Sequence, residues 1–404
     1  MSPVGAPTPP AVGHSRWRAI LSGNVLWLSV VSLLNDTASE MIYPLLPFFL
    51  VGTLGAGPAF LGVVEGIAES TSSLLKLGSG WFSDRFARRK PLVLGGYGIA
   101  AAVRPLTALA AAPWHVLAIR FADRVGKGIR SAPRDALLAE SVAPAVRGRA
   151  FGMHRAADHA GAFLGPLLAS ALLVLFARDL RTVFALAAVP GALCVLVLLL
   201  RVRETPASPR ARTVGMEATP TSAGPAFIRY LLVLGLFTLG NATDAFLLLR
   251  AGDLGVPLAA IPLLWAAHHI AKSAFSVPGG ALSDRIGARA TIVAGWIVYS
   301  ATYVAFAFAS AAWHVWLLFL VYGLFYGLTE APEKALVAGL AREGHRGAAF
   351  GAFHFTVGIT ALPASILFGV LWTRFGAPAA FLTGAGLALA AAILLPIVVP
   401  RRPV

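Results

Sequence analysis

Charged residues are scarce in this sequence. Asp, Glu, Lys and Arg together make up 13% of its 404 residues, whereas soluble chains carry about 25%. With 57% hydrophobic residues and a mean hydropathy of +0.76, the composition excludes an ordinary soluble domain, a disordered chain and a coiled coil. Cysteine occurs once, at Cys194, so an intrachain disulfide framework is excluded as well.

Motifs for metal, cofactor and nucleotide chemistry are also missing. The sequence contains no HExxH pair, no paired-cysteine spacing and no Walker-type loop, which would mark metal catalysis or ATP hydrolysis. We therefore expect a protein that is not an enzyme and that holds no cofactor or metal. The formal net charge of +15 would suggest a nucleic-acid partner in a soluble protein, but in so hydrophobic a chain it reflects membrane topology first.

Long apolar runs are abundant. A membrane-spanning helix needs about 20 mostly apolar residues, and twelve runs meet this requirement. The alternating segments of roughly ten residues that form transmembrane strands are absent, so we predict an all-α membrane protein. The predicted spans 1 to 12 cover residues 22–50, 57–82, 91–112, 114–141, 149–176, 180–200, 227–250, 256–281, 290–311, 313–340, 348–373 and 377–399.

The distribution of basic residues predicts the orientation. If the N-terminus is cytoplasmic, the cytoplasmic segments carry 19 Lys and Arg and the other side carries 4, which places both termini in the cytoplasm. We expect residues 1–21 to form a disordered cytoplasmic N-terminus and residues 201–226 to form a cytoplasmic linker. The preference for Arg over Lys suggests a GC-rich bacterial genome, so the expected location is the bacterial inner (plasma) membrane.

The chain contains an internal repeat. Three hexapeptides recur in the same order 199 or 200 residues later: GWFSDR at 80–85 as GALSDR at 280–285, APRDAL at 132–137 as APEKAL at 331–336, and RGRAFG at 147–152 as RGAAFG at 346–351. Repeats at one offset indicate a duplicated architecture. Each half holds six spans, so the halves have parallel topology, and an axis along the membrane normal would relate them.

The first hexapeptide carries a family resemblance. The residues that match the GxxxDRxGRR loop signature of the major facilitator superfamily are Gly80, Asp84, Arg85, Arg88 and Arg89. The second copy retains Gly280, Asp284 and Arg285. The resemblance implies two pseudo-symmetric six-helix bundles, at 22–200 and 227–400, that rock around a central site. It also implies that these loops are gates, with Asp84 accepting hydrogen bonds that hold the halves together on the cytoplasmic side in one state.

Ionisable side chains occur within the spans. Ten basic and eleven acidic residues fall at or near membrane depth, where an unpaired charge costs about 3 kcal/mol. They must be paired, protonated or exposed to a wet cavity. Helical spacing places Asp36 with Glu40 on one face, Glu65 with Glu69 on another, and Arg120 on a basic face of span 4. We predict that these five residues couple transport to protons, which would compete with the span 4 cations for the carboxylates; purely structural salt bridges are the alternative.

The same resemblance predicts a substrate cavity. In the superfamily, spans 1, 4, 7 and 10 line the central cavity, and the third span of each triplet stays outside. The charge distribution agrees, since spans 6, 9, 11 and 12 have no ionisable residue at membrane depth and span 4 has eight. The predicted substrate-cavity residues are Asn35, Tyr43, Arg124, Lys127, Asp158, Asn241, Asp244, Tyr322, Tyr326 and Glu330.

Span 4 resembles proton-coupled members of the superfamily. Arg120 and Phe121, followed by Gly126 and Gly128, resemble the RFxxGxGxG motif of these proteins. The sequence departs from the motif at Arg124, where a glycine is expected.

Spans 1 and 5 resemble antiporters. Gly161, Gly165 and Pro166 resemble the span 5 motif GxxxGPxxGG of family antiporters. Pro44 and Pro47 resemble the span 1 signature of twelve-span drug:proton antiporters. Plain helix packing is the alternative explanation for both.

Together these features predict a secondary active transporter that works by alternating access. Our first hypothesis is proton-coupled efflux of a small organic molecule. A symporter or exchanger of an anionic small molecule is the alternative, because arginine binds carboxylate or phosphate through two hydrogen bonds. A receptor or assembly factor that transports nothing is the alternative from another class. The expected partners are the small-molecule substrate, protons and the lipid bilayer, without nucleic acid, and the expected state is a monomer.

Overall fold

The structure, a computed structural model, is entirely helical in the residues that it describes. These are residues 23–85, 89–143, 146–204, 224–341 and 346–399. The predicted disordered N-terminus and most of the predicted linker lie outside the described residues.

The twelve predicted spans are confirmed as twelve helices. Their bounds are α1 Gly23–Ile42, α2 Pro58–Arg85, α3 Lys90–Val103, α4 Pro113–Glu140, α5 Arg147–Leu175, α6 Leu180–Leu186 with Ala188–Arg201, α7 Pro225–Gly240 with Ala245–Asp253, α8 Ile261–Ile286, α9 Ala288–Phe308, α10 Ala312–Leu340, α11 Arg346–Phe375 and α12 Ala377–Val398. We call α1–α6 the first half and α7–α12 the second half. The terminal face is the face of the bundle at which α1 begins and α12 ends, and the opposite face lies across the membrane.

Besides α6, which is interrupted at Ala187, three helices change their winding near the middle of the bundle or the opposite face. The α-helical part of α1 gives way at Tyr43–Leu45 to a 3₁₀ turn beside Pro44, because proline cannot donate to the helical ladder. Likewise, α3 continues as the 3₁₀ turn Arg104–Leu109, which contains Pro105. The third change is in α7, which is unwound at 241–244.

Eight helices are long and apolar enough to cross a membrane by length and composition, within the described residues. The four that fall short are α1, α2, α4 and α8. Each of these four contributes ionisable side chains to the cavity between the halves. Their lower hydropathy therefore reflects side chains that face the cavity, where water can solvate them.

The two halves use the same packing scheme. In the first half α2 packs on α4, α3 on α4, α1 on α5, and α1 on α6. The corresponding pairs α8 with α10, α9 with α10, α7 with α11, and α7 with α12 pack in the second half. Between the halves, α2 contacts α11 and α5 contacts α8. Exchanging the halves converts one of these contacts into the other, so the bundle is pseudo-symmetric.

The halves are closed against each other towards the opposite face. A Cβ atom on Gly62 of α2 would collide with the carbonyl oxygen of Ser365 on α11, so the two backbones touch. Within the described residues, five hydrogen bonds join the halves: Tyr43 with Thr243, Ala59 with Thr373, Ser70 with Gly358, Ser170 with Ala259, and Trp265 with Glu40. All of them lie between the middle of the bundle and the opposite face.

The repeat also extends to a helix cap that the sequence comparison above missed. The pentapeptide APWHV at 112–116 recurs as AAWHV at 311–315. Nδ1 of His115 accepts hydrogen bonds from the backbone N–H groups of Ala111 and Ala112, at 3.2 and 3.0 Å. Nδ1 of His314 does the same for Ser310 and Ala311, at 3.4 and 3.2 Å. Each histidine thus caps the start of its helix, α4 or α10.

Replacing either capping histidine should destabilise the fold. We expect His115→Ala and His314→Ala each to cost up to about 1 kcal/mol, because two backbone donors lose their acceptor. The effect would appear as a lower thermal unfolding midpoint of the purified protein in detergent. Asparagine at either position keeps an acceptor and should cost less. The caps lie in separate halves, so the two losses should add; unchanged midpoints for both alanine variants would contradict this assignment.

Candidate functional site

A cavity of about 570 Å³ lies between the two halves. Its walls carry six acidic and six basic side chains, five of each from the first half. Arg155, on the terminal half of α5, lines the cavity with a side chain that is 65% exposed. Because the halves are sealed towards the opposite face, the cavity opens towards the terminal face.

Most of the residues predicted for proton coupling and substrate binding meet in this cavity. Those that line it are Asn35, Asp36, Glu40, Tyr43, Glu65, Glu69, Arg124, Lys127, Asp158, Asn241, Asp244 and Tyr326. Three predicted residues, Arg120, Tyr322 and Glu330, are not among the lining residues. Each of the three instead contacts a side chain that is.

Arg120 forms an ion pair with Glu65. Its Nε and Nη2 donate to the two carboxylate oxygens of Glu65 at 2.8 and 2.7 Å, and both residues are buried. This two-point arrangement is the strongest geometry for a guanidinium and a carboxylate. Glu65 lines the cavity, whereas Arg120 is not among the lining residues and contacts Glu65 from the protein interior.

Arg104 corrects the expectation that the third span stays outside. This buried side chain reaches from α3 to Asp123 on α4, with Nε 2.8 Å from Oδ1. Its Nη1 also donates to the backbone and side-chain oxygens of Asn35 on α1, at 3.0 and 2.9 Å. Arg104 therefore ties three helices together and lines the cavity. The sequence could not reveal this, because a long arginine side chain crosses from its own helix to two others.

Of the carboxylates on spans 1 and 2 that were expected to face the span 4 cations, Glu65 pairs with Arg120, whereas the carboxylate of Asp36 has a different hydrogen-bond partner in this conformation. Asp36 accepts instead from the side-chain amide of Asn35 at 2.8 Å. Asp158 of α5 accepts from Ser32 of α1 and lies 3.4 Å from Arg155. Local donors on α1 and α5 satisfy these carboxylates because the α4 guanidinium groups of Arg120 and Arg124 are directed towards Glu65 and Asp123.

Glu40 makes a carboxylate contact between the halves. Its Oε2 accepts from the indole N–H of Trp265 on α8 at 2.8 Å. The ring of Trp265 also packs against Tyr43, with centroids 5.3 Å apart. The hydrogen bond belongs to the seal between the halves, and both residues line the cavity.

Asp244 forms the polar centre of the second half. It follows the unwound residues of α7 and accepts hydrogen bonds from the hydroxyls of Tyr322 at 2.6 Å and Tyr326 at 2.9 Å. Tyr326 lines the cavity, but Tyr322 is fully buried behind it. The prediction of Tyr322 as a cavity residue is therefore corrected, because its hydroxyl reaches Asp244 from the protein side.

Glu330 lies outside the cavity lining because it is drawn to two lysines. Its carboxylate is 3.6 Å from Nζ of Lys272 and 3.3 Å from Nζ of Lys334. Lys272 lines the cavity and also lies 4.0 Å from the centroid of the Tyr326 ring. The cation that faces the cavity from the second half is thus held by an acid and an aromatic ring.

The predicted gating loops are only partly described. Arg88 and the side chains of Gly80, Asp84 and Arg85 lie outside the described residues. Arg89 is buried and forms an ion pair with Glu140 at the end of α4. In the second copy Asp284 and Arg285 are exposed and Gly280 is half-buried in α8. In this conformation Arg89 therefore contacts its own half.

The predicted α5 motif packs against α1. A Cβ atom on Gly161 would collide with the carbonyl oxygen of Leu33, and one on Gly165 would lie 2.6 Å from that of Thr37. Pro166 lies inside the helix. These glycines bring α5 within backbone contact of α1 and thereby position Asp158 beside the α1 carboxylates.

The sequence reasoning missed several cavity residues that the repeat points to. Trp265 and His269 line the cavity from α8. An offset of 200 residues maps them onto Glu65 and Glu69 of α2, which were predicted. Transferring each predicted site residue by the offset would have found both. Lys272, also missed, is one further turn along the same face.

The Arg104–Asp123 pair should dominate the stability of the first half. We expect Asp123→Leu to cost about 3–5 kcal/mol, because it leaves Arg104 buried without its carboxylate. The double variant Arg104→Met with Asp123→Leu should recover much of this loss, since it removes both charges. Thermal unfolding midpoints of the parent, the two single variants and the double variant close the cycle. Additive single losses in the double variant would argue against the pairing.

Comparisons with known proteins agree with this architecture. A family model described as Major Facilitator Superfamily matches residues 28–251 and 230–404. An uncharacterized MFS-type transporter of Methanocaldococcus jannaschii is 35% identical over 385 residues, covering 93% of this chain and 94% of that protein. The multidrug resistance protein MdtH of an Enterobacter species is 25% identical over 327 residues, 80% of each chain. The solved structure of the nucleoside transporter NupG is similar with a TM-score of 0.78 at 15% identity, covering 93% of this chain and 100% of that one.

Proposed function

The chain belongs to the major facilitator superfamily, and on that basis we propose that it exports a small organic molecule in exchange for protons. As a member of this family it is a secondary transporter rather than an enzyme. The central cavity would hold the substrate, and rocking of the two halves would expose that cavity to each side in turn.

The observation that carries the proton proposal is the pair of α1 carboxylates in the cavity. Asp36 and Glu40 each accept a hydrogen bond from a neutral donor, an amide and an indole. Within the described residues, neither has a lysine or arginine within ion-pair distance. A carboxylate whose hydrogen-bond donor is neutral holds a proton more readily than one in a two-point ion pair such as that of Glu65 with Arg120. These two groups are therefore suited to take up and release protons during the cycle.

Glu40 connects proton binding to movement. The hydrogen bond from the indole of Trp265 is strongest when the carboxylate is ionised, and it joins the two halves. Protonation of Glu40 would weaken this bond and favour separation of the halves towards the opposite face. Glu65 is the second candidate, because protonation would release Arg120 from its two-point ion pair. Glu69 lines the cavity one turn away from Glu65.

Two features support the direction of transport. The positive-inside rule favours a cytoplasmic terminal face, and in that orientation the cavity in this conformation would open to the compartment from which an exporter loads its substrate. The relative MdtH is named a multidrug resistance protein, which fits efflux. In the other state of the cycle, the ends of α2 and α8 that contain Asp84 and Asp284 would close the terminal face.

Neutralising Glu40 should uncouple transport. Purified protein would be reconstituted into liposomes that contain a pH-sensitive dye, with an imposed pH gradient. A panel of amphipathic cations, neutral compounds and carboxylates would then be added one at a time. We expect at least one compound to accelerate collapse of the gradient, and Glu40→Gln to reduce that rate to the rate in protein-free liposomes. Asp36→Asn should also slow it.

Trp265→Phe is the matched control for this experiment. It removes the indole donor but keeps the Glu40 carboxylate, so proton movement should continue at a changed rate. Substrate flux without proton movement in the parent, or full proton coupling in both the Glu40→Gln and Asp36→Asn variants, would refute the proton mechanism. No flux of any compound would favour a receptor or assembly factor.

A second candidate function is symport or exchange of an anionic molecule. It is favoured by the six basic side chains in the cavity, of which Arg124 and Lys127 lie on consecutive turns of α4. Liposomes loaded with an unlabelled carboxylate would be tested for uptake of the same carboxylate in radiolabelled form. Uptake that does not respond to a pH gradient would support this function over proton-coupled export.

The proposed orientation can be tested separately. We expect a green fluorescent protein fused after Val404 to fluoresce in intact bacterial cells, because that domain folds in the cytoplasm. An alkaline phosphatase fused at the same site should be inactive, because it needs the oxidising periplasm. A fusion within the α11–α12 connection, near Gly376, should give the reverse pair of results. An active phosphatase at the C-terminus would contradict a cytoplasmic terminus.

A further inference from the structure

We propose that Arg124 is the residue that binds an anionic group of the substrate. The inference rests on the proposed transport function, and it specifies the chemistry that the cavity recognises. The ligand class is an organic anion with a carboxylate or sulfonate group. Arg124 lines the cavity with a side chain that is 11% exposed.

The Nε atom of Arg124 is buried and has no hydrogen-bond partner among the described residues. The nearest carboxylate oxygen, Oδ2 of Asp123, is 4.0 Å away, beyond hydrogen-bond range. A buried arginine donor without an acceptor is costly, so its retention at the cavity wall calls for an acceptor that arrives from outside the chain.

Local charge leads to the same conclusion. Three guanidinium groups surround two carboxylates here. Arg104 takes Oδ1 of Asp123 at 2.8 Å, and Arg120 takes both oxygens of Glu65. Arg120 also approaches Oδ2 of Asp123 at 3.9 Å. Both carboxylates therefore have other arginines as their closest partners, and Arg124 makes a two-point contact with neither of them.

Packing does not account for this arginine. Its counterpart in the repeat is Gly323, where a Cβ atom would lie 2.6 Å from Cβ of Ala271 and 2.9 Å from the backbone nitrogen of Lys272. The second half thus packs α10 tightly on α8 at the position where the first half has a long cation. The exchange of a packing glycine for an arginine that borders the cavity indicates a role in binding.

A single-cysteine reporter can measure the charge in the cavity without knowledge of the substrate. Ser39, which lines the cavity, would be replaced by cysteine. The parent protein supplies the background, because its one cysteine, Cys194, is 2% exposed. Two methanethiosulfonates of similar size, one with a sulfonate and one with a trimethylammonium group, would be applied, and the ratio of their rates reports the local potential. Ala162→Cys on α5 gives a second reporter position.

We expect the anionic reagent to react faster and Arg124→Gln to lower the anionic-to-cationic rate ratio by about fivefold or more. Arg124→Lys should restore the ratio, which distinguishes loss of charge from misfolding. Arg155→Gln is the matched control, because its side chain is 65% exposed at the cavity mouth and solvent screens its charge. It should change the ratio less than about twofold. Equal effects of Arg124→Gln and Arg155→Gln would overturn the proposal.

Binding is tested with benzoate as the probe and benzamide as its neutral analogue. Benzoate should protect the reporter cysteine from both reagents in the parent and lose this protection in Arg124→Gln. Arg124→Lys should protect less than the parent, because lysine cannot form the two-point contact. Equal protection by benzoate and benzamide would refute anion recognition. Neither readout needs a proton gradient, so this proposal can fail while proton-coupled export stands, and the reverse.

Discussion

The cost of placing a charge in a membrane governs this structure. Insertion of one ionised side chain at mid-helix costs about 3 kcal/mol, and the cavity alone is lined by twelve such groups. The first half meets this constraint by converging arginines on few carboxylates, as Arg104 and Arg120 do with Asp123 and Glu65. Other ionisable groups, such as Asp36 and Lys127, line the cavity, where water can reach them. The location of these charges therefore determines which helix faces border the cavity.

The two halves of the repeat use different side chains at equivalent positions of the helix packing. An offset of 199 residues maps Arg104 onto Tyr303 and Asp123 onto Tyr322. The ion pair of the first half is thus replaced in the second by buried tyrosines, whose rings stack with Tyr299 and Phe325. Aromatic side chains are uncharged, so they can pack in a low-dielectric interior without the cost of burying a charge. The second half therefore contributes one acid, Asp244, to the cavity lining, whereas the first half contributes five of its six acidic and five of its six basic side chains.

The fold was predictable to a greater degree than the site. Hydropathy accumulates along consecutive residues, so the twelve spans and the repeat follow from local sequence. The members of the cavity were largely predictable too, since polar residues on inner helices have few other places to face. Their partners were not. Arg104 contacts Asn35 and Asp123 on two other helices, and Glu40 contacts Trp265 in the other half. The spacing of residues along one helix does not predict contacts between different helices.

The seal towards the opposite face combines strength with reversibility. The seal includes close backbone contact at glycines such as Gly62. Such contact is stabilised by many weak dispersion interactions, and comparable interactions can form when the halves separate and repack. Of the five hydrogen bonds that cross it between described residues, four join neutral groups. The fifth ends on the Glu40 carboxylate. If Glu40 takes up protons as proposed, protonation of this single side chain would bias the seal, because a small free energy suffices to shift two states of similar stability.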